Sequence, residues 1–549
     1  MALRFAILVL LFQLPAVFAG QQKTAASPAE GDFQISGTLV DADTAQPLAH
    51  ARVSISSIAR PDDSTVIVTS DDGRFLFAGL APGKYVLSGQ ARGHLLQAFN
   101  QHDSFSSSIA VGPGLDSTGL IFKLPAEASI SGTVVDEGGE PVRDANLSLY
   151  TTGLSAGLEA TRVRNRTATN DEGAYHFSHL SPGHYLLVVS AQPWYARFIA
   201  LASNNAATEP PPPGEIAAQP GKSPLDLAYP ITFFGGATDA TAATEIHLAR
   251  GERFTANINL QPVPAVHLRF ATENDGTRGR SIVLEQHVLD GPPLPVPIEN
   301  RFINQGVMES LVGVAPGHYT MRTFMTGKNG AAPVPSQEID VGSNGGIDND
   351  ETYVPVSAAL AIDSGDLPRQ IRVNLLNKKS RQSASEAVGD QGEVVFKQGI
   401  RPGTYEVSLF NNQGTYLRSV SAEGARLSGR TLEVKAGASV RLKIAVGRGF
   451  GDISGIALRD GKPVAGAMVV LVPPDPAHNQ VLFRRDQSDS DGTFGMKNVV
   501  PGNYTLVAIE NGWDLEWMNP TVLRTYLARG NPVVVQSNAK VNDVKLAVQ

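Results

Sequence analysis

The chain has 549 residues, and at roughly 100–200 residues per domain that length predicts three to five domains. Hydrophobic residues make up 42% and charged residues 18%, which supplies packed cores and excludes disorder throughout. A net charge of -8 argues against nucleic-acid binding through phosphates, and the lack of cysteine excludes disulfide staples, thiolate metal sites and cysteine nucleophiles.

Residues 1–19 read as a signal peptide, with Arg4 as the positive n-region, an apolar run from Ala6 to Phe12 and a small-x-small cleavage site at Val17-Phe18-Ala19. That run falls short of the roughly 20 apolar residues a bilayer span needs, and no later segment predicts one. Residues 20–30 read as a disordered leader. The carboxyl-terminal DVKLAVQ carries no hydrophobic tail or sorting motif, so export and release to periplasm or medium are expected. An exported chain without disulfides points to a bacterial source.

The first module is expected over residues 31–125. Ile35-Ser36-Gly37-Thr38 opens a strand, and Gln46-Pro47-Leu48 leads to a second at Ala51-Arg52-Val53. An Asp-Gly turn at Gly73 precedes the alternating Phe75-x-Phe77-x-x-Leu80, and Pro82-Gly83-Lys84-Tyr85 follows. The second module, 126–262, repeats this order with Ile130-Ser131-Gly132-Thr133, Glu140-Pro141-Val142, Ala145-Asn146-Leu147, Gly173 and Pro182-Gly183-His184-Tyr185. It carries an insertion at 203–228, where Pro210 to Pro213 predict irregular or polyproline chain, a surface loop rather than a docking peptide. Strand patterns resume at Tyr229–Phe234, at Ile246-x-Leu248 and at Phe254–Leu260.

The third module, 263–343, keeps Gly306 and Pro316-Gly317-His318-Tyr319, and the fourth, 352–446, keeps Gly392 and Pro402-Gly403-Thr404-Tyr405. Both lack a clean Ile-Ser-Gly start and read as degenerate copies. The fifth, 447–549, restores Ile453-Ser454-Gly455, Lys462-Pro463-Val464, Ala467-Met468-Val469, Gly492 and Pro501-Gly502-Asn503-Tyr504. Successive Pro-Gly-x-Tyr glycines are 100, 134, 86 and 99 residues apart, each spacing one small domain. Between the two glycines of each copy lies a half-buried strand, and Tyr-x-Leu starts the next, so the unit reads as a β-hairpin. Without a long 3.6-residue period anywhere, the chain is expected to be all-β, built of tandem antiparallel sandwiches.

The series ISGTV-x-D, G-x-P-V, D-E-G-x-Y/F-x-F and L-x-P-G-x-Y-x-L resembles the carboxypeptidase regulatory-like domain. That resemblance implies seven-stranded, transthyretin-like (prealbumin-like) or Cna-B-like β-sandwiches over nearly all of the mature chain. It implies fold and leaves function open. Isopeptide crosslinks, known in some Cna-B-like domains, are not expected, because the Ile-Ser-Gly strands lack the required lysine.

A zinc carboxypeptidase would need His-x-x-Glu and a distant histidine, and neither His-x-x-Glu nor His-Glu-x-x-His occurs. Gly153-x-Ser155-x-Gly157 matches a nucleophile elbow in letters, but no helix is predicted behind it. Asp486, Asp489 and Asp491, and the run Asp348-Asn349-Asp350-Glu351, offer hard oxygens but fail calcium-loop spacing and read as solvated turn acids. No catalytic residue, metal or cofactor is therefore expected.

Nine residues after three repeat tyrosines come His94, Trp194 and Trp513, with Tyr195 and Trp517 close by. Aromatic faces suit sugar rings, so these five residues are the candidate ligand-binding set; plugging of the sandwich ends is the competing role. The expectation is a non-catalytic exported binding or scaffold protein, with polysaccharide or a cell-surface protein as partner. A structural spacer or adhesion protein, or an accessory subunit of a secreted peptidase, are the alternatives.

Overall fold

Period-two patterning resolves into facing sheets, module after module. The structure, a computed structural model, describes residues 33–549 except 156, 197–215, 221–222, 272–278, 304–307, 328–329, 334–336, 344–346, 349–352 and 380–382. The signal peptide, the leader, Pro210–Pro213, Gly306 and Asn349-Asp350-Glu351 lie outside the described residues.

In the first module, strand Phe33–Asp41 pairs antiparallel with Arg74–Leu80 and parallel with Leu120–Leu124. The facing sheet runs Arg60–Val68, Arg52–Ser57, Gly83–Gln90, Gln97–Ala98, with Ile109–Val111 also on Gly83–Gln90. Alternate residues of both sheets, among them Ile35, Leu39, Val53, Phe77, Leu87 and Phe122, meet in one core. The second, fourth and fifth modules repeat the plan, each with its own core. In each, the first strand lies parallel to a late one: Ala128–Val135 to Arg253–Thr255 and Ile258–Asn259, Val354–Ile362 to Val440–Arg448, and Gly451–Arg459 to Lys540–Ala547. Among their described strands, these sandwiches are thus antiparallel apart from this closing pair.

The third module departs from the plan. Its strand Val266–Ala271 is flanked by Met308–Val314 and, on the other side, by Ile216–Pro220, both antiparallel. The segment 203–228 expected to be irregular therefore supplies a strand. Ile216 and Ala218 pack on the third core, and a strand this short, ending in a proline without an N–H, belongs at a sheet edge.

The Pro-Gly-x-Tyr unit is a link between sheets, which corrects the expected hairpin. Arg74–Leu80 and Gly83–Gln90 lie in opposite sheets, as do Ala174–Leu180 and Gly183–Ser190, Met308–Val314 and Gly317–Gly327, Glu393–Ile400 and Gly403–Phe410, and Thr493–Val499 and Gly502–Ile509. A tight hairpin needs a positive φ at its first central residue, which the fixed negative φ of proline denies. Each buried tyrosine hydroxyl instead donates to the carbonyl just before the proline: Tyr85 to Ala81 at 2.9 Å, Tyr185 to Ser181 at 2.7 Å, Tyr319 to Ala315 at 2.6 Å, Tyr405 to Arg401 at 2.8 Å and Tyr504 to Val500 at 2.7 Å. Burial pushes the Tyr504 phenol up to about 12.

Two glycine positions follow from close approach. A Cβ on Gly37, Gly132 or Gly455 would sit 2.2, 2.0 or 2.2 Å from a carbonyl oxygen of the parallel strand, which accounts for Ile-Ser-Gly. The turn glycines Gly73, Gly173 and Gly492 have φ of 73°, 68° and 77° and press on the first strand. A further shared device carries no constant letter. Thr69, Thr169 and Ser488 are buried, and each hydroxyl accepts the N–H of Ala51, Ala145 or Ala467 and donates to the carbonyl of Leu48, Val142 or Val464.

The modules also touch one another. Tyr150, Leu186, Val188, Ile231 and Phe233 of the second share an apolar cluster with Val288 and Leu294 of the third. Arg430 of the fourth donates its N–H to the carbonyl of His478 at 2.9 Å. The first module meets the fifth across hundreds of residues of sequence. Ser490 N–H donates to Ser108 O at 3.0 Å, Ala110 N–H to Ser490 Oγ at 2.8 Å, Ser108 N–H to Asp489 Oδ1 at 2.7 Å, and Ser107 Oγ to Ser488 O at 2.9 Å. Lys84 Nζ lies 2.5 Å from Asp489 and 3.7 Å from Asp491. The acidic turn expected in solvent is part of this contact. Asp486 beside it is pushed up to about 6, chiefly by burial.

A short α-helix, Pro520–Leu527, accompanies the strands of the fifth module; the Asn519 side chain caps it by accepting Thr521 N–H, and proline occupies its first turn. Leu523 joins Phe483 and Trp517 in a second apolar cluster with Met468, Val470 and Val472, so strand Met468–Val472 is buried on both sides.

Thr169→Val is expected to cost about 1–3 kcal/mol, because it strands a buried N–H and carbonyl at once; thermal or denaturant unfolding measures it. Oxidised Ser108→Cys/Ser490→Cys is expected to form one intramolecular crosslink, read as a mobility shift reversed by reductant, and failure to crosslink would refute the contact between first and fifth modules. Because Asp486 binds its proton more tightly folded than unfolded, it favours the fold fully below about pH 4 and loses that contribution as pH rises through 6. Asp486→Asn should therefore raise the melting temperature at pH 8 relative to the parent, with the gain shrinking at pH 5.

Candidate functional site

The candidate aromatic residues share a sequence position yet have separate environments. Trp194 is 69% exposed, and the neighbouring Tyr195 ring stands edge-on to it at 5.8 Å between centroids. Tyr195 donates to Glu137 Oε1 at 2.5 Å, and Tyr229 donates to Oε2 of the same carboxylate at 2.9 Å. Burial and the Glu137 hydrogen bond push the Tyr195 phenol up to about 12. Although burial opposes it, the two tyrosine hydrogen bonds hold Glu137 below the usual carboxylate range. The pair Trp194-Tyr195 is thus an exposed indole on an anchored support.

Trp513 lies in the contact between the first and fifth modules. Its ring stacks on His102 at 4.7 Å and 7°, and its N–H donates to Gly466 O at 3.2 Å. The Arg485 guanidinium sits 5.2 Å from the Trp513 ring and 4.7 Å from Phe105, and it also pairs with Asp103 at 3.0 Å. Gln487 links this cluster to Asn100 O, Ser107 Oγ and His102 Nδ1 at 2.6, 2.9 and 3.1 Å. Trp517 is 5% exposed, packed edge-on against Phe483 and over Gly157. His94 Nε2 donates to Asp41 Oδ2 at 2.9 Å, tying the loop after its strand to the first strand of its module. The backbone N–H of Thr44, followed by His94, holds the Asp41 carboxyl well below its ordinary range, against the cost of burial. The five candidates therefore fall in three places, Trp194 with Tyr195, Trp513 with Trp517 beside Arg485, and His94 alone, and only Trp194 among them presents its ring to solvent.

Gly153-x-Ser155-x-Gly157 joins strands Asn146–Ser155 and Leu158–Ala168, which pair antiparallel; this is a strand-to-strand link, and Trp517 packs on it.

A cluster that spacing alone conceals lies on the second module. Strand Gly183–Ser190 pairs with Ile246–Leu248 in a register that sets His184 opposite His247. Glu245, two residues before His247, shares their face. Glu245 Oε2 is 3.3 Å from His184 Nδ1 and 3.7 Å from His247 Nε2, and the two imidazole centroids are 4.4 Å apart. Thr152 Oγ1 donates to the other oxygen, Oε1, at 2.5 Å. That hydroxyl, then the two imidazoles, hold the Glu245 carboxyl below its usual range against the cost of burial. Sequence reading missed the group because His184 lies far from the other two. The signal it did carry is Glu-x-His on a strand.

The family model for the carboxypeptidase regulatory-like domain matches residues 34–123 and 129–206. A search of curated proteins finds no match. Among solved structures, the Bacillus anthracis TIE protein is 10% identical, covering 94% of this chain and 74% of that one, at a TM-score of 0.16. The full-length major pilin RrgB of Streptococcus pneumoniae is 9% identical over 92% and 94%, at 0.16, and the minor pilin GBS52 of Streptococcus agalactiae 13% identical over 42% and 96%, at 0.19. At TM-scores this low, nothing about the role of this chain follows from these likenesses. The family match thus falls, in two tandem copies, on the first two of the sandwiches described above.

Proposed function

We propose that the protein is a non-catalytic, exported scaffold whose sandwich modules, with the boundaries expected from sequence save that Ile216–Pro220 joins the third, act as one closed body toward a protein partner in the periplasm or at the cell surface. One observation carries this reading. The histidine, tryptophan, glutamine and acids gathered at the contact of the first and fifth modules are bonded to each other across it. Residues arranged this way fix the arrangement of modules, which is what a scaffold requires. No helix among the described residues is long and apolar enough to cross a membrane.

A second reading, glycan recognition, rests on Trp194, whose exposed indole is propped by a tyrosine that Glu137 holds in place. A polysaccharide panel titrated with the parent chain, Trp194→Ala and Trp513→Ala separates the two. The scaffold reading expects no saturable polysaccharide binding, a loss of roughly 2 kcal/mol and a larger radius of gyration in Trp513→Ala, and an unchanged melting temperature in Trp194→Ala. Saturable binding removed by Trp194→Ala would give the function to glycan recognition, and a Trp513→Ala variant as compact and stable as the parent would sink the scaffold reading.

A further inference from the structure

We propose that His184, Glu245 and His247 form a binding site for a divalent first-row transition-metal ion, with Zn²⁺ as the probe. The three ligand atoms all lie within 4.8 Å of one another, and they are the donor types such ions take: two imidazole nitrogens and a carboxylate oxygen. With metal–ligand bonds near 2.0–2.2 Å, a tetrahedral site needs ligand atoms about 3.4 Å apart. The observed 3.3 and 3.7 Å to Glu245 Oε2 bracket that value.

The backbone builds this geometry. Cross-strand register brings His184 and His247 side by side, and the two-residue step along the strand adds Glu245 to the same face. Thr152 occupies Oε1 and leaves Oε2 directed at the imidazoles, the kind of outer hydrogen bond that orients a metal-binding carboxylate. The side chains of His184 and His247 are 54% and 69% exposed, so an ion has open access and keeps room for water as its remaining ligand.

The third module provides an internal contrast. His318 occupies the same place in Pro-Gly-His-Tyr and faces Asp340 across strands, with Glu338 two residues before it. There the two acids take opposite ring nitrogens of one histidine, Glu338 at Nε2 and Asp340 at Nδ1, and Arg401 neutralises Glu338. Its donors diverge where those of the second module converge. A bound ion would staple the three-residue strand Ile246–Leu248 to Gly183–Ser190.

The test uses the full mature chain without a histidine tag, stripped with chelator, and titrated with Zn²⁺ by calorimetry. One-to-one saturable binding is expected, with a rise in melting temperature at excess zinc and visible absorption when Co²⁺ replaces it. His184→Ala and His247→Ala should each abolish that phase, Thr152→Ala should weaken it about tenfold, and His318→Ala should leave it unchanged. All these positions carry exposed or half-buried side chains, and circular dichroism checks that each variant is folded. Absence of saturable binding by the parent, or binding that persists in His184→Ala/His247→Ala, would overturn the site.

Discussion

A buried phenol that donates to the carbonyl before a proline holds the two sheets of every sandwich together at one corner. The strand before Pro-Gly ends in one sheet and the strand after it starts in the other. The crossing has no ladder to join, so the carbonyl before the proline is satisfied by a side chain instead of a strand. The tyrosine supplies the donor from four residues downstream, while its ring fills the core beneath the crossing. Both requirements fall on one side chain, which explains why Pro-Gly-x-Tyr survives in the two modules that have lost Ile-Ser-Gly.

That dependence also explains how much of the fold could be read from sequence. Pro-Gly-x-Tyr is a local device with fixed letters, so each of its five sheet crossings could be located along the chain. The sense of the crossing was misread as a hairpin, since alternating strands around a Pro-Gly look the same whether they pair or oppose each other. The hydroxyl bridges of Thr69, Thr169 and Ser488 were illegible for a different reason: threonine and serine satisfy the same N–H and carbonyl, and their partners lie about 20 residues upstream. Ile216–Pro220 was hidden because a short edge strand ending in proline carries too little alternation to stand out beside a proline run.

The candidate site was legible only in its residue types. His94, Trp194 and Trp513 do sit at equivalent sequence positions, but what each meets depends on the surroundings of its own module. His94 meets an aspartate of its own module, Trp513 meets the first module's His102, and Trp194 meets water. None of this follows from spacing, because the decisive neighbours come from other strands or modules. The convergence of His184 with Glu245 and His247 is likewise a matter of register. A one-residue slip of the segment from Glu245 to Leu248 would turn Glu245 and His247 to the opposite face.

Contact between the first and fifth modules has a mechanical consequence. Tension applied through residues 33 and 549 has two routes, one through the intervening modules and a shorter one across this contact. The shorter, stiffer route bears load first, and its hydrogen bonds and ion pairs are replaceable by water, whereas sandwich cores are not. The contact would therefore part before any core opens, letting the chain lengthen while its modules remain folded. It would re-form on slackening, since covalent linkage keeps the two faces at high mutual concentration.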